Sequence, residues 1–162
     1  MTELQFLIDQ MRRMYEGRAW HGPSIREALD GVTLELATQR LGSSSHTIYD
    51  LVHHIAAWIG EVHARVGGRT PQYPVEGDFP SRTIAVTQSD WSALRTRLDT
   101  AQATLLADLE FLDPDRLAEH VGTANAPSLG TGPTILAMLH GLVQHNAYHA
   151  GQIVLMRRAL GA

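Results

Sequence analysis

The run from Ile135 to Leu160 is apolar on nearly every side, and it carries two histidines four residues apart, His145 and His149. At roughly 100° per residue, positions four apart differ by only ~40° around a helix and lie one turn apart along it. Both imidazoles can therefore reach one point in space. A helix that is apolar all round belongs at the centre of a bundle. Histidine is only intermediate in its tendency to be buried. Two on one stripe of a buried helix need a reason, and a shared metal ion is the strongest. A third ligand must then come from elsewhere in the chain.

The remaining periodicity predicts helices throughout. Leu4, Leu7, Ile8, Met11, Met14 and Tyr15 have the spacing of an amphipathic helix over 3–19, with Gly17 at its fraying end. Trp20 to Pro23 reads as a turn. Ser24 and Glu27 form a capping-box pattern for a short helix to Leu29, and Thr33 to Leu41 is a second short piece. After a loop over 42–46, Thr47 and Asp50 open a helix to about Val66, stopped by Gly67 and Gly68. Residues 69–88 hold Pro71, Pro74, Gly77 and Pro80 and predict a long connection, of the kind that is usually a lid or a functional loop. Thr83 to Thr87 is counted as part of it, not as a strand. Thr87 and Asp90 open the next helix, to about Leu112, ended by Asp113 and Pro114. A loop with Gly122, Pro127, Gly130 and Gly132 leads to Pro133, suited to a first helical position. Four long helices and short extra ones near 24–41, within one domain over 1–162, give an all-α four-helix bundle. The long 67–88 connection leaves open whether consecutive helices are neighbours.

Composition removes several chemistries. The chain has no cysteine, so disulfides, thiolate ligands and a cysteine nucleophile are excluded. All 13 basic residues are arginine, which rules out a lysine Schiff base or a Walker-type phosphate loop. A net charge of −4 without a basic stripe argues against nucleic-acid binding. No apolar run reaches the ~20 residues of a membrane span. The first residues lack the basic region and apolar core of a signal peptide, so the cytoplasm is the expected location.

Among the nine histidines, His54 is the best third ligand. It shares an inward stripe with Leu51, Trp58 and Glu61. His53 is ~100° around the helix and expected to face solvent or a neighbour, and His140 points ~140° away from His145. His21, His46, His63 and His120 fall near helix ends or loops. Three neutral imidazoles with an open position make a catalytic rather than a structural kind of site. Asp50 and Glu61 are candidates to orient the ligand imidazoles. Glu61 is also a candidate fourth ligand or catalytic group, while Asp50 doubles as an ordinary helix-start residue. Trp20, Trp58, Trp91 and Tyr148 read first as core.

Four segments carry a family resemblance: Ala19 to Ser24, Leu51 to Trp58, Glu76 to Pro80, and Leu139 to Ile153 with both histidines. In this order and spacing the chain resembles the DinB/YfiT-like superfamily over nearly its whole length. That family is unrelated to the DNA polymerase of similar name. The resemblance implies an up-down-down-up bundle with a long crossover between the second and third long helices. It implies a metal triad of His54, His145 and His149, choosing His54 over His53. It also implies a zinc, nickel or similar ion, a homodimer, and activities such as thiol S-transfer with a low-molecular-weight thiol, or hydrolysis.

Two functions follow as expectations. In the first, the ion activates a thiol cosubstrate or water against a small electrophile. The 69–88 loop, with Tyr73 and Phe79, roofs a pocket lined by Trp20, His21, Trp58 and Tyr148. In the second, the chain is a non-catalytic metal-binding stress-response protein. Imidazole ligands suit zinc, copper, iron and nickel, with zinc or nickel favoured.

Overall fold

In the computed structural model, described over residues 1–43, 46–81, 85–122 and 132–161, the chain forms six α-helices. They are α1 (Glu3–Glu16), α2 (Ile25–Ala28), α3 (Leu34–Thr38), α4 (Ile48–Val66), α5 (Gln88–Leu109) and α6 (Ile135–Ala159). A 3-10 turn over Pro114–Ala118 follows α5. Among the described residues there is no strand, only an isolated bridge between His120 and Thr134. Ser44 and Ser45, Thr83 and Ile84, and Pro127 and Gly130, all read from sequence as loop, lie outside the described residues.

Helix starts follow the sequence closely, because each is set by one side chain. Ser24, Thr47 and Thr87 each accept from the backbone N–H three residues on, and Glu27, Asp50 and Asp90 accept from the cap N–H in return. A further box, Thr2 with Gln5, starts α1. Helix ends are less faithful. α1 stops at Glu16, where Gly17 takes φ 143° and a Cβ would come within 3.2 Å of the Glu27 carboxylate. α5 stops at Leu109, short of Leu112. Pro133 lies outside α6, whose cap is Thr134.

Polar contacts fix the helix directions. Tyr15 meets Asp99 and Arg12 meets Glu110, so α1 and α5 run antiparallel. Arg97 reaches the His53 carbonyl while His63 meets Asp108, so α4 and α5 run parallel. Arg116 donates to the Val66 carbonyl and the Ile135 N–H to the Glu119 carbonyl, which puts the start of α6 at the end of α4. Arg157 caps the carbonyls of Glu27 and Ala28, bringing the end of α6 beside α2, whose Arg26 shares Asp99 with Tyr15. The order is up-down-down-up. Met11 and Met14, with Leu7, Ile55, Ile59, Trp91, Leu98, Leu105 and Leu139, are fully buried between the four long helices. Burial of each such side chain contributes about 1.5–3 kcal/mol. Phe6 is half-exposed and lies outside this core.

A parallel α4–α5 pair requires the chain to return the length of α4 before α5 begins. It does so along one stripe of α4 made of His54, Trp58, Glu61 and Arg65. At the far end, Gln72 donates its N–H to Glu61 and accepts from Arg65 through its carbonyl, and Arg69 also pairs with Glu61. At the near end, Asp78 meets His54 and Trp58. Glu61 and Arg65 are themselves paired at 2.8 Å with side chains 0% and 3% exposed. Removing one partner of such a buried pair is strongly destabilising, because the other charge stays out of water. Glu61→Ala is therefore expected to cost about 3–5 kcal/mol in urea unfolding. A change near zero would show that the crossover does not depend on this pair.

Candidate metal centre

His54 sits mid-way along α4, and His145 and His149 project from α6 one turn apart. Because α4 and α6 are neighbours, the three rings meet. The Nε2 atoms of His54 and His145 are 2.8 Å apart, and those of His145 and His149 are 3.2 Å apart. Among the described residues these three form the one group of His or acidic side chains whose donor atoms could hold a metal ion.

The other ring nitrogens decide what the cluster presents. His54 Nδ1 lies 3.0 Å from both the backbone carbonyl and the carboxylate of Asp78. His145 Nδ1 is 3.0 Å from Asn146 Oδ1, and His149 Nδ1 is 2.6 Å from Gln152 Oε1. All three face oxygen acceptors, so Nδ1 carries the proton and donates. Each Nε2 is then left with a lone pair directed at the other two. Three lone pairs this close repel one another unless a cation lies between them. Ligands ~2.0–2.1 Å from a tetrahedral zinc ion are roughly 3.3 Å apart, close to the spacing here. The donor set and its orientation fit a transition metal bound by three neutral imidazoles. Asn146 is fully buried and leaves its Nδ2 without a hydrogen-bond partner in order to aim Oδ1 at His145.

Electrostatics agree with neutral ligands. Desolvation lowers the pKa of His54, His145 and His149, the last to about 4. Hydrogen bonds to Asp78, Asn146 and Gln152 act in the opposite direction and are outweighed.

An aromatic stack shields one side. Phe79 lies flat on the His54 ring, with centroids 4.4 Å apart and planes 7° apart. His46 stacks on the opposite face of Phe79 at 3.7 Å. The Trp58 ring stands edge-on to His54 at 6.3 Å, and its indole N–H donates to Asp78 Oδ1 at 2.7 Å.

The other expected residues are distributed differently. Trp20 is fully exposed and His21 is exposed too, so neither walls a pocket. Both belong to the irregular turn between α1 and α2. Tyr148 contacts His149 edge-on at 5.1 Å but is largely in solvent. Of the crossover aromatics, Phe79 reaches the histidines, whereas Tyr73 is exposed. Trp91 is core, donating to the Val32 carbonyl. Glu61 is neither a ligand nor a group that orients one, because its oxygens serve Arg65, Arg69 and the Gln72 N–H. Asp50 accepts from Thr47 as a helix-start residue, not from His54. His53 does not face solvent: it is 8% exposed, with Nδ1 unpartnered. The acceptors that do orient the ligands are Asp78, Asn146 and Gln152, none of them singled out from sequence. For Gln152 a signal existed, since it lies three residues after His149 on the same helix face.

A histidine with a lowered folded pKa stays neutral where the unfolded chain already binds a proton. Between pH 6.5, the ordinary value, and about 4, His149 therefore favours unfolding increasingly as pH falls. Metal-free protein is expected to lose stability through that window and to hold it above pH 7, measured as urea midpoints at stepped pH. A flat profile would contradict a buried neutral cluster.

No curated protein matches the sequence. The family model described as the DinB superfamily matches residues 19–153, which include all three histidines and the crossover. With most of its length in that match, this chain belongs to the DinB superfamily.

Proposed function

We propose that the chain is a metal-dependent enzyme that transfers a low-molecular-weight thiol to a small electrophilic molecule, or hydrolyses one with water. The observation that carries this reading is the set of three Nε2 lone pairs converging with every Nδ1 proton already committed to an oxygen. When bound there, a zinc, nickel or similar ion supplies a Lewis acid that brings the pKa of a thiol or water toward about 7. His54, His145 and His149 would hold it as neutral ligands, leaving its charge uncompensated and a coordination position open. Asp78, Asn146 and Gln152 keep the imidazoles in the required tautomer. Phe79 excludes water from one face of His54. The absence of cysteine means that any thiol arrives as a cosubstrate. In the transfer, sulfur bonds to the electrophilic carbon, the leaving group departs with its electron pair, and the thiol proton ends on the leaving group.

The reading extends to a homodimer in the cytoplasm acting on a small molecule, with no nucleic-acid partner. The exposed side of α6, with Tyr148 and Leu155, is a surface a second copy could cover. Among the described residues no helix is long and apolar enough to cross a membrane.

A second reading has its own support. The three histidines tie α4 to α6, and Asp78 ties the crossover to α4, so a bound ion would brace the bundle without any turnover. Binding to the folded state alone would add about 2.7 kcal/mol at an ion concentration 100-fold above Kd.

The two are separated by metal-loaded protein, a panel of thiols and electrophiles, and a His149→Ala control. The enzyme reading expects thiol transfer by the wild type, and loss of both stoichiometric metal and turnover in the variant. Transfer at the wild-type rate by His149→Ala would overturn it. A strong rise in melting temperature on metal addition, with no turnover on any pair, would favour the bracing role.

A further inference from the structure

Trp58 projects from α4 one turn beyond His54, yet its indole N–H does not face the histidine cluster. It donates at 2.7 Å to Asp78 Oδ1, the same oxygen that lies 3.0 Å from His54 Nδ1. The Asp78 carbonyl lies 3.0 Å from that ring nitrogen as well. Asp78 belongs to irregular chain and is partly exposed, with no helix to fix its side chain. It follows Gly77, at φ 85°, in a turn closed by the Gly77 N–H on the Pro74 carbonyl. On the far face of the indole, the Arg65 guanidinium lies 5.6 Å from the ring centroid, and Arg65 is itself held by Glu61 and Gln72. Trp58 is thus fixed by buried neighbours on α4, while the carboxylate it holds is otherwise loosely tethered.

We propose that Trp58 is a positioning residue for the metal centre: its N–H fixes the Asp78 carboxylate against His54 Nδ1, and so sets the affinity of the triad. The inference rests on the metal-binding reading above. Its chemistry is that of a carboxylate–histidine–metal relay. A carboxylate accepting from Nδ1–H fixes the tautomer that leaves Nε2 free, orients the ring, and makes Nε2 more basic. Loss of such an outer partner typically weakens metal binding about 10–100-fold. A donor that acts only through the carboxylate should matter to the extent that the carboxylate does. The linkage is reciprocal, so an ion on His54 should also hold the crossover more firmly to α4.

Trp58→Phe isolates the N–H. Phenylalanine keeps an aromatic ring under Arg65 and most of the buried area, so the bundle is retained. Asp78→Ala removes the carboxylate itself, and the double variant completes a cycle. Zinc affinity is read by competition with a chromogenic chelator, and the folded state of each metal-free variant by its melting temperature. The expected result is about a tenfold or greater loss of zinc affinity in Trp58→Phe, with its metal-free melting temperature near that of the wild type. Asp78→Ala should lose at least as much, and the double variant no more than Asp78→Ala alone. In hydrogen exchange, zinc should slow the amides around Asp78 in the wild type but not in Trp58→Phe.

Wild-type affinity in Trp58→Phe would overturn the inference. So would additive losses in the double variant, which would mean that Trp58 acts by packing rather than through Asp78. If the wild type binds neither zinc nor nickel while remaining folded, the metal reading itself fails and this inference with it. That outcome is distinguished because it appears before any substitution is made.

Discussion

One stripe of α4 governs the molecule. His54, Trp58, Glu61 and Arg65 recur at the spacing of a helix face, which meets the α6 histidines through His54. The irregular chain leaving the end of α4 runs along the same stripe. Buried polar groups must find partners or destabilise the fold. Here the partners come from Arg69, Gln72 and Asp78, within a short distance in sequence. This single satisfaction problem accounts for the path of the crossover. It also makes the parallel pairing of α4 and α5 possible and brings a carboxylate to His54.

The same stripe buries polarity in two opposite ways. Glu61 and Arg65 stay charged and neutralise each other directly. The imidazoles at the other end stay neutral, with desolvation holding their pKa values down. A compensated ion pair offers nothing to a ligand, because its charges and hydrogen bonds are already used. Neutral rings with one nitrogen spent and one lone pair free are incomplete, and three incomplete groups aimed at one point define a cation site. The distinction explains why Glu61, two turns from His54 on the same face, has no part in the cluster.

The helices were legible because helix periodicity and capping are local. Thr47 with Asp50, or Thr87 with Asp90, announce a helix start within four residues. The His145 and His149 pair was legible for the same reason, as spacing on one helix. His54 followed from its inward stripe, and family resemblance settled it over His53. What escaped was the pairing of irregular chain with helix. Nothing periodic in 69–88 tells that Asp78, rather than Asp50 or Glu61, meets His54. Of the two surroundings open to His53, solvent or a neighbour, the parallel packing of α5 on that flank decides for the neighbour. Trp20 and His21 were overvalued because a motif's side chains in a turn have no helix face to direct them.

The distance between the two anchor points has a consequence of its own. From Arg65 to His54, α4 rises by roughly 16 Å at 1.5 Å per residue. The chain from Gln72 to Asp78 could span about 20 Å if fully extended, at ~3.3 Å per residue. Little surplus separates the two lengths, and the Pro74–Gly77 turn takes it up. The segment therefore behaves as a ruler laid along the helix, with its graduations fixed at both ends. A single residue inserted or deleted between Gln72 and Asp78 would release one anchor to keep the other. Between its two buckles the strap has one length, set by the helix beneath it.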